Sequence, residues 1–231
     1  MKSPFWFLSK FNTSKPSEWG IRSEIHLDVG CGSRPRNPFR ATKVVGVDIL
    51  EKKQLSLPKE VNYLKVDIQG LLPLESNSVD TISGYDFIEH LSRGPTIESN
   101  HFIKFMNEAY RVLKPNGVLF LVTPAFPSSA AFQDPTHVNF ISVNTIDYFT
   151  GPEPGASKMG YGFNGSFHKI CQEWVGPFSS IWSTEDYQTK QHFLSKKRTA
   201  FIRNLRSIST IRRTISNIRN PSHLIWLLMK K

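Results

Sequence analysis

Residues 24–48, EIHLDVGCGSRPRNPFRATKVVGVD, constrain the fold more than any other stretch of the chain. A short apolar run (Ile25, Leu27, Val29) leads into Asp28-Val29-Gly30-Cys31-Gly32, and a second run (Val44, Val45, Val47) ends at Asp48. Two such runs read as parallel strands whose carboxyl ends face one crevice. Gly30 and Gly32 let the backbone turn sharply and carry no Cβ to hold a ligand away. Asp48 then stands at the tip of the second strand, about 20 residues past the glycines, where nucleotide-binding folds place the carboxylate that accepts both ribose hydroxyls.

The pattern repeats downstream. Val61 to Asp67 reads as a third short strand ending in an acid, and Val79 to Tyr85 as a fourth, with Asp86 to Leu91 turning out of it. From residue 97 to 113 the apolar groups Ile97, Phe102, Phe105, Met106, Ala109, Tyr110 and Leu113 recur mostly three or four apart, which predicts a core-facing helix. Lys114-Pro115-Asn116-Gly117 stops it, and Val118 to Thr123 is the fifth strand. Tyr110 and Lys114 make Y-x-x-x-K, the spacing of short-chain dehydrogenases, but they precede the fifth strand and abut the helix stop, which argues against that chemistry.

The series HLDVGCGSRP, VGVDI, YLKVDIQG, FIEHL and RVLKPNGVLFLVTP resembles the successive motifs of class I S-adenosylmethionine-dependent methyltransferases, in particular those of the type 11 group. The resemblance covers residues 24–124 and implies a Rossmann-like α/β fold. Its sheet would be seven-stranded and mostly parallel, with helices on both faces and the last strand antiparallel beside the fifth. The implied cofactor is S-adenosyl-L-methionine, held by Asp28, Gly30, Cys31, Gly32, Asp48, Ile49, Asp67, Ile68, Tyr85 and Asp86. Among these, Asp67 and the backbone of Ile68 would receive the adenine edge, and Tyr85 and Asp86 would flank the methionine portion. Ser33 and Arg34 depart from the family pattern, which often has a third glycine there. The Glu89-His90 dipeptide is usually structural in this family.

Residues 124–177 are rich in Gly, Pro and aromatics without a period, and a stretch this long within a domain is usually functional or disordered. Five aromatic residues between Tyr148 and Phe167 argue against disorder. We therefore expect a substrate-binding insertion above the sheet, with DPTHVNFIS and NGSFHKI as its chemical content. A weaker resemblance of this segment is to methyltransferases of cell-surface polysaccharide synthesis. If the acceptor is a hydroxyl, a base must meet it, and histidine titrates in the useful range. His137 is the first candidate, Asp134 its orienting partner, and His168 the second. These three could instead hold a divalent metal, but scattered ligands make no metal-binding spacing, and no metal is expected.

The chain of 231 residues suits one domain, preceded by an aromatic segment at 1–23 that contains Phe5, Trp6, Phe7, Phe11 and Trp19. That segment reads as packing on the domain, or as a lid or interfacial anchor. Phe178 to Tyr187 and Leu224 to Met229 are expected as the sixth and seventh strands. The net charge of +10 sits in the tail: no acid follows Asp186, while 11 basic residues do. Residues 190–220 carry these charges around Phe201, Leu205, Ile208, Ile211, Ile215 and Ile218, which predicts a basic amphipathic helix. Trp226 nearby suits an interface. Peripheral contact with an anionic membrane through 196–219, plain packing, and RNA binding all remain open for it.

Two cysteines in unlike contexts, no signal-peptide core and no apolar run of membrane-spanning length point to a cytoplasmic protein. The leading function is O-methylation of a sugar, glycan or lipid-linked intermediate. An RNA methyltransferase and a non-catalytic binding protein that keeps the fold are the alternatives. Exocyclic amines of DNA are disfavoured because the fourth strand is followed by GYDFIEH, without an Asn/Asp-Pro-Pro-aromatic turn.

Overall fold

The computed structural model describes residues 10–51, 57, 61–68, 71–96, 99–176, 179–182 and 221–231. Seven strands form one sheet in the order β3-β2-β1-β4-β5-β7-β6. They are β1 (Ile25–Val29), β2 (Lys43–Asp48), β3 (Val61–Lys65), β4 (Val79–Tyr85), β5 (Leu113–Pro124), β6 (Phe167–Val175) and β7 (His223–Lys230). The strands from β3 to β5 pair in parallel, and β7 lies antiparallel between β5 and β6. The expected α/β architecture is thus observed. Strands buried on both sides read as near-continuous apolar runs, and β1, β2 and β4 do so within a residue of their expected bounds.

Alternate side chains of each strand serve two different layers. One face presents Leu27, Val29, Ile82, Leu119, Leu121, Trp226 and Leu228 to helix α2 (His101–Val112). The helix starts at Asn100, whose side chain accepts from the Ile103 amide at 3.1 Å. It ends at Val112 because Leu113 is already extended in β5. Its buried Phe102, Phe105, Met106 and Val112 stabilise the fold by about 1.5–3 kcal/mol each. Trp226 is fully buried on this face beside Phe102 and Phe149, so the interfacial role expected for it is withdrawn.

The other face carries no comparable helix among the described residues. A single helical turn, α1 (Lys10–Thr13), and loop aromatics cover it instead. Trp19 and Phe39 both pack edge-on to Phe120 at 5.2 and 5.9 Å, so this part of the N-terminal segment packs on the domain. Phe5, Trp6 and Phe7 lie outside the described residues. No helix follows the glycine loop: residues 33–42 form turns, closed where the Asn37 side chain bonds both the amide and the carbonyl of Ala41. The third glycine of related loops serves close helix-to-strand packing, so a chain without that helix has no need of it. Ser33 and Arg34 fit that exception.

Two expectations about the second half are corrected. The sixth strand is Phe167–Val175, within the stretch assigned to the insertion; of the strand expected at 178–187, Ser180–Trp182 is a 3-10 turn that buries Ile181 against the second face, and residues 178 and 183–187 lie outside the described residues. The insertion itself does not all stand above the sheet. Only its first part stays there, joined by the bridge of Ala125 to Ile141. Residues 142–166 then bury Ile146, Phe149, Ala156 and Phe163 in the core beside α2, where the Asn107 side chain bonds Gly162 and Asn164. A further short helix, α3 (Gly155–Lys158), belongs to this part. The expected basic helix at 190–220 lies outside the described residues.

Candidate active site

The carboxyl ends of β1, β2, β3 and β4 enclose a cavity of about 280 Å³. Gly30, Asp48, Ile49, Asp67, Ile68 and Asp86 line it, six of the ten residues expected to hold the cofactor. Phe87, His90 and Leu91 complete the lining and were not expected. Gly30 has φ +62°, and a Cβ there would come within 2.6 Å of the Phe87 ring, so both the turn and the close approach demand glycine. A larger hollow of about 590 Å³ between Pro152 and Ser166 contains none of the strand-tip acids.

The loop is held by hydrogen bonds to two carboxylates. Asp48 Oδ2 accepts from the Gly32 amide at 2.7 Å and Oδ1 from the Leu50 amide at 3.1 Å. Beneath them Asp28, only 1% exposed, accepts from the Ser83 hydroxyl at 2.5 Å and the Arg36 amide at 2.7 Å. Burial pushes Asp28 up to about 6, and the bonds from Ser83 and Arg36 oppose that shift. Ser83 in turn accepts from His26 Nε2 at 2.9 Å, and His26 Nδ1 accepts from Thr81 at 2.8 Å. Complete burial drives His26 down to about 3, so this ladder stays neutral.

The remaining expected contacts lie outside the lining. Gly32 and Asp28 act through the bonds just described. Cys31 tucks its sulfur toward Gly46, and burial pushes its thiol up, which removes it as a nucleophile. Tyr85 points to the opposite face, where its ring meets Phe120 at 5.5 Å and the Arg36 guanidinium at 4.1 Å. Asp86 has φ +48°, and its Oδ1 lies 3.1 Å from His223 Nε2.

On the acceptor side the structure brings together residues 47 positions apart. The amides of Val138 and Asn139 both bond the Glu89 carbonyl, at 2.9 and 3.0 Å, and the Asn139 side chain bonds the carbonyls of Ile88 and Leu91. His137 thereby meets His90 ring to ring, with centroids 4.8 Å apart. Thr136 links Asp134 to His90: its hydroxyl is 2.7 Å from Asp134 Oδ1 and 2.9 Å from His90 Nδ1. Those bonds from Thr136 hold Asp134 below the usual carboxylate range. Asp134 therefore orients His90, while His137 is fixed by the Ala131 carbonyl at 3.1 Å. Burial, with Asp86 adding to it, raises Glu89 to about 8.

His168 is corrected. It stands opposite Met229 on edge strand β6, at the level of Val118, the end of the sheet away from the cavity. It cannot reach a methyl group presented at the strand tips. Lys114 is likewise remote from the cavity: it lies in β5 and pairs with Asp80 at 2.8 Å, which ends the dehydrogenase reading. Of the Glu89-His90 dipeptide, read as structural, His90 lines the cavity while Glu89 is buried behind it.

Residues 27–121 match the family model described as a methyltransferase domain. These residues form a methyltransferase domain. Its cofactor is S-adenosyl-L-methionine, and the strand-tip cavity holds the acids such a ligand requires. Solved structures agree on the fold. A SAM-dependent methyltransferase from Archaeoglobus fulgidus is 20% identical, covers 93% of this chain and 89% of its own, and superposes with a TM-score of 0.53. An S-adenosylmethionine-dependent methyltransferase from Mesorhizobium loti is 12% identical over 99% of this chain and 98% of its own, with a TM-score of 0.50. A Haloferax volcanii protein solved in complex with the Trm112 methyltransferase activator is 12% identical over 93% and 86%, with a TM-score of 0.51. No curated protein matches. Among the described residues, no helix is long and apolar enough to cross a membrane.

Proposed function

We propose that this methyltransferase acts on a hydroxyl of a sugar, glycan or lipid-linked saccharide. The observation that carries the reading is an aromatic shelf on the same segment as His137. Phe126, Phe132 and Phe140 are each more than half exposed, Phe132 and Phe140 stack at 5.2 Å, and the Arg93 guanidinium sits 5.7 Å from the Phe140 ring. Exposed aromatics grouped beside a catalytic cleft mark a ligand surface. Flat rings suit the C–H faces of a pyranose, and a guanidinium suits its hydroxyls or a phosphate link.

Transfer from a sulfonium is an in-line displacement, so the protein's main work is alignment. Asp48, Asp67 and Asp86 would hold the cofactor's ribose, adenine and methionine ends. The acceptor oxygen would approach from the shelf toward the cluster of His90 and His137. The location of the enzyme follows its substrate: a lipid-linked acceptor puts it at the inner face of the membrane, where residues 196–219 offer eight basic groups. Purified enzyme with radiolabelled cofactor, offered extracted lipid-linked glycan, free oligosaccharide and RNA in parallel, tests the reading. Label in the saccharide fractions is expected; label only in RNA would overturn it.

A further inference from the structure

Three polar side chains converge where residues 87–91 meet the segment after β5. Glu89 is only 1% exposed; its Oε2 accepts from Thr123 at 3.0 Å, and its buried Oε1 has no hydrogen-bond partner. His137 Nδ1 faces the Ala131 carbonyl, which can only accept, so Nδ1 carries the hydrogen and Nε2 keeps a lone pair. His90 reaches the same state by a longer route. The Thr136 hydroxyl gives its one proton to Asp134, so toward His90 Nδ1 it accepts, and His90 Nε2 is again bare.

The outcome is a cluster in which two imidazole lone pairs and the Glu89 carboxyl face one another, with no hydrogen among them but the one that burial favours on Glu89, which a bound cation would displace. One ligand atom from each of Glu89, His90 and His137 lies within 4.8 Å of the others. Converging lone pairs repel, and an orphaned carboxylate oxygen in the interior is costly. A cation would satisfy all three groups. Tetrahedral ligands at about 2.0–2.1 Å from a metal stand about 3.4 Å apart, so small side-chain rotations would close the site.

We propose that Glu89, His90 and His137 bind a divalent transition ion of the Zn²⁺, Mn²⁺ or Co²⁺ kind at the mouth of the cofactor cavity. Two imidazoles and one carboxylate favour such borderline ions over Mg²⁺ or Ca²⁺, which prefer oxygen ligands. Three protein ligands leave a coordination position open, as in catalytic sites. Ala131, Thr136 and Asp134 supply the outer bonds that fix both rings. The site stands on this geometry alone; its use on a hydroxyl rests on the function proposed above. There the metal-bound hydroxyl loses its proton to water, and its oxygen pair attacks the methyl carbon as the carbon–sulfur bond breaks toward sulfur.

The test uses the full chain without an affinity tag, stripped with a chelator and titrated with Zn²⁺ by calorimetry and with Co²⁺ by visible absorption. One equivalent should bind, and His137→Ala should lower the affinity at least tenfold, as should Glu89→Gln. Thr136→Val keeps every ligand and should weaken binding about tenfold through ring orientation alone. Cofactor affinity, measured on the same samples, should be unchanged in His137→Ala and reports folding. No stoichiometric uptake by the wild type, or wild-type affinity in His137→Ala, would overturn the site. Metal uptake without transfer to saccharide would overturn the acceptor class and leave the site standing.

Discussion

The two walls of the crevice satisfy their polar atoms in opposite ways. On the cofactor wall every carboxylate oxygen of Asp28 and Asp48 already receives a hydrogen from the chain itself, and the ladder of Thr81, His26 and Ser83 is closed beneath them. On the acceptor wall two imidazole lone pairs, of His90 and His137, and the Glu89 carboxyl face one another and leave Glu89 Oε1 unpaired. The first wall is complete before any ligand arrives; the second is completed by what binds. Preorganisation of that first kind holds a cofactor in one pose, whereas unmet valence of the second kind belongs where the chemistry occurs.

The most damaging change should therefore fall on the second wall. His137→Ala is expected to slow turnover on the true acceptor by about 10² to 10⁴, with cofactor affinity intact. Retention of more than half the activity would make the wall structural and dissolve the contrast.

Next comes the closed ladder, read through pH. His26 has a folded value near 3 against an ordinary 6.5, so the unfolded chain takes up the extra proton between those values. Its contribution is present above pH 6.5 and lost as pH falls through 3, by up to about 5 kcal/mol at 1.36 kcal/mol per unit. Asp28 and Glu89, both raised, pull the other way. Denaturant curves of wild type and His26→Gln, compared at each pH, isolate the histidine. A difference that stays constant from pH 7 to 4 would show that the ladder is not neutral.

Asp48→Ala probes the same wall at its ligand-facing tip and should weaken S-adenosylmethionine by about 1.5 to 3 kcal/mol, the range of hydrogen bonds to a charged group. Calorimetry showing unchanged affinity would remove Asp48 from the ribose. The smallest effect is expected from Phe132→Ala on the aromatic shelf. Loss of one stacked ring should raise the acceptor KM about threefold to tenfold, from an aromatic contribution of roughly 0.5–1.5 kcal/mol, without touching cofactor affinity.

The cofactor wall was legible because its signals are local: each strand is an apolar run, and each tip residue follows its strand directly. β4 was placed to the residue, and Asp48, Asp67 and Asp86 fall where strand ends predict. Side-chain direction was less legible. Tyr85 is in phase with Ser83 and Thr81, so it turns to the face opposite α2 whatever its neighbour Asp86 does. The acceptor wall hid in long-range contacts. Nothing in residues 134–139 says that the Glu89 carbonyl will collect two of their amides, and only that pairing brings His137 to His90. β6 was missed because an edge strand needs little apolar content: only Phe167, Cys171 and Val175 are buried. Ser180–Trp182 misled in the reverse sense, for its Ile181 and Trp182 plug a face without joining a ladder.

The position of β7 sets how the chain may be cut. This last strand runs between β5 and β6 in the sheet, so trimming from the C-terminal end takes out an interior strand before it reaches the basic stretch. Yet the stretch departs and returns at one place: the Trp182 ring lies 5.0 Å from that of His223, which contacts Asp86 at the cavity rim. An internal excision of residues 183–220, bridged by a few glycines, would spare all seven strands where a truncation cannot. It would also keep every described residue of the cavity lining for asking what those basic residues recognise.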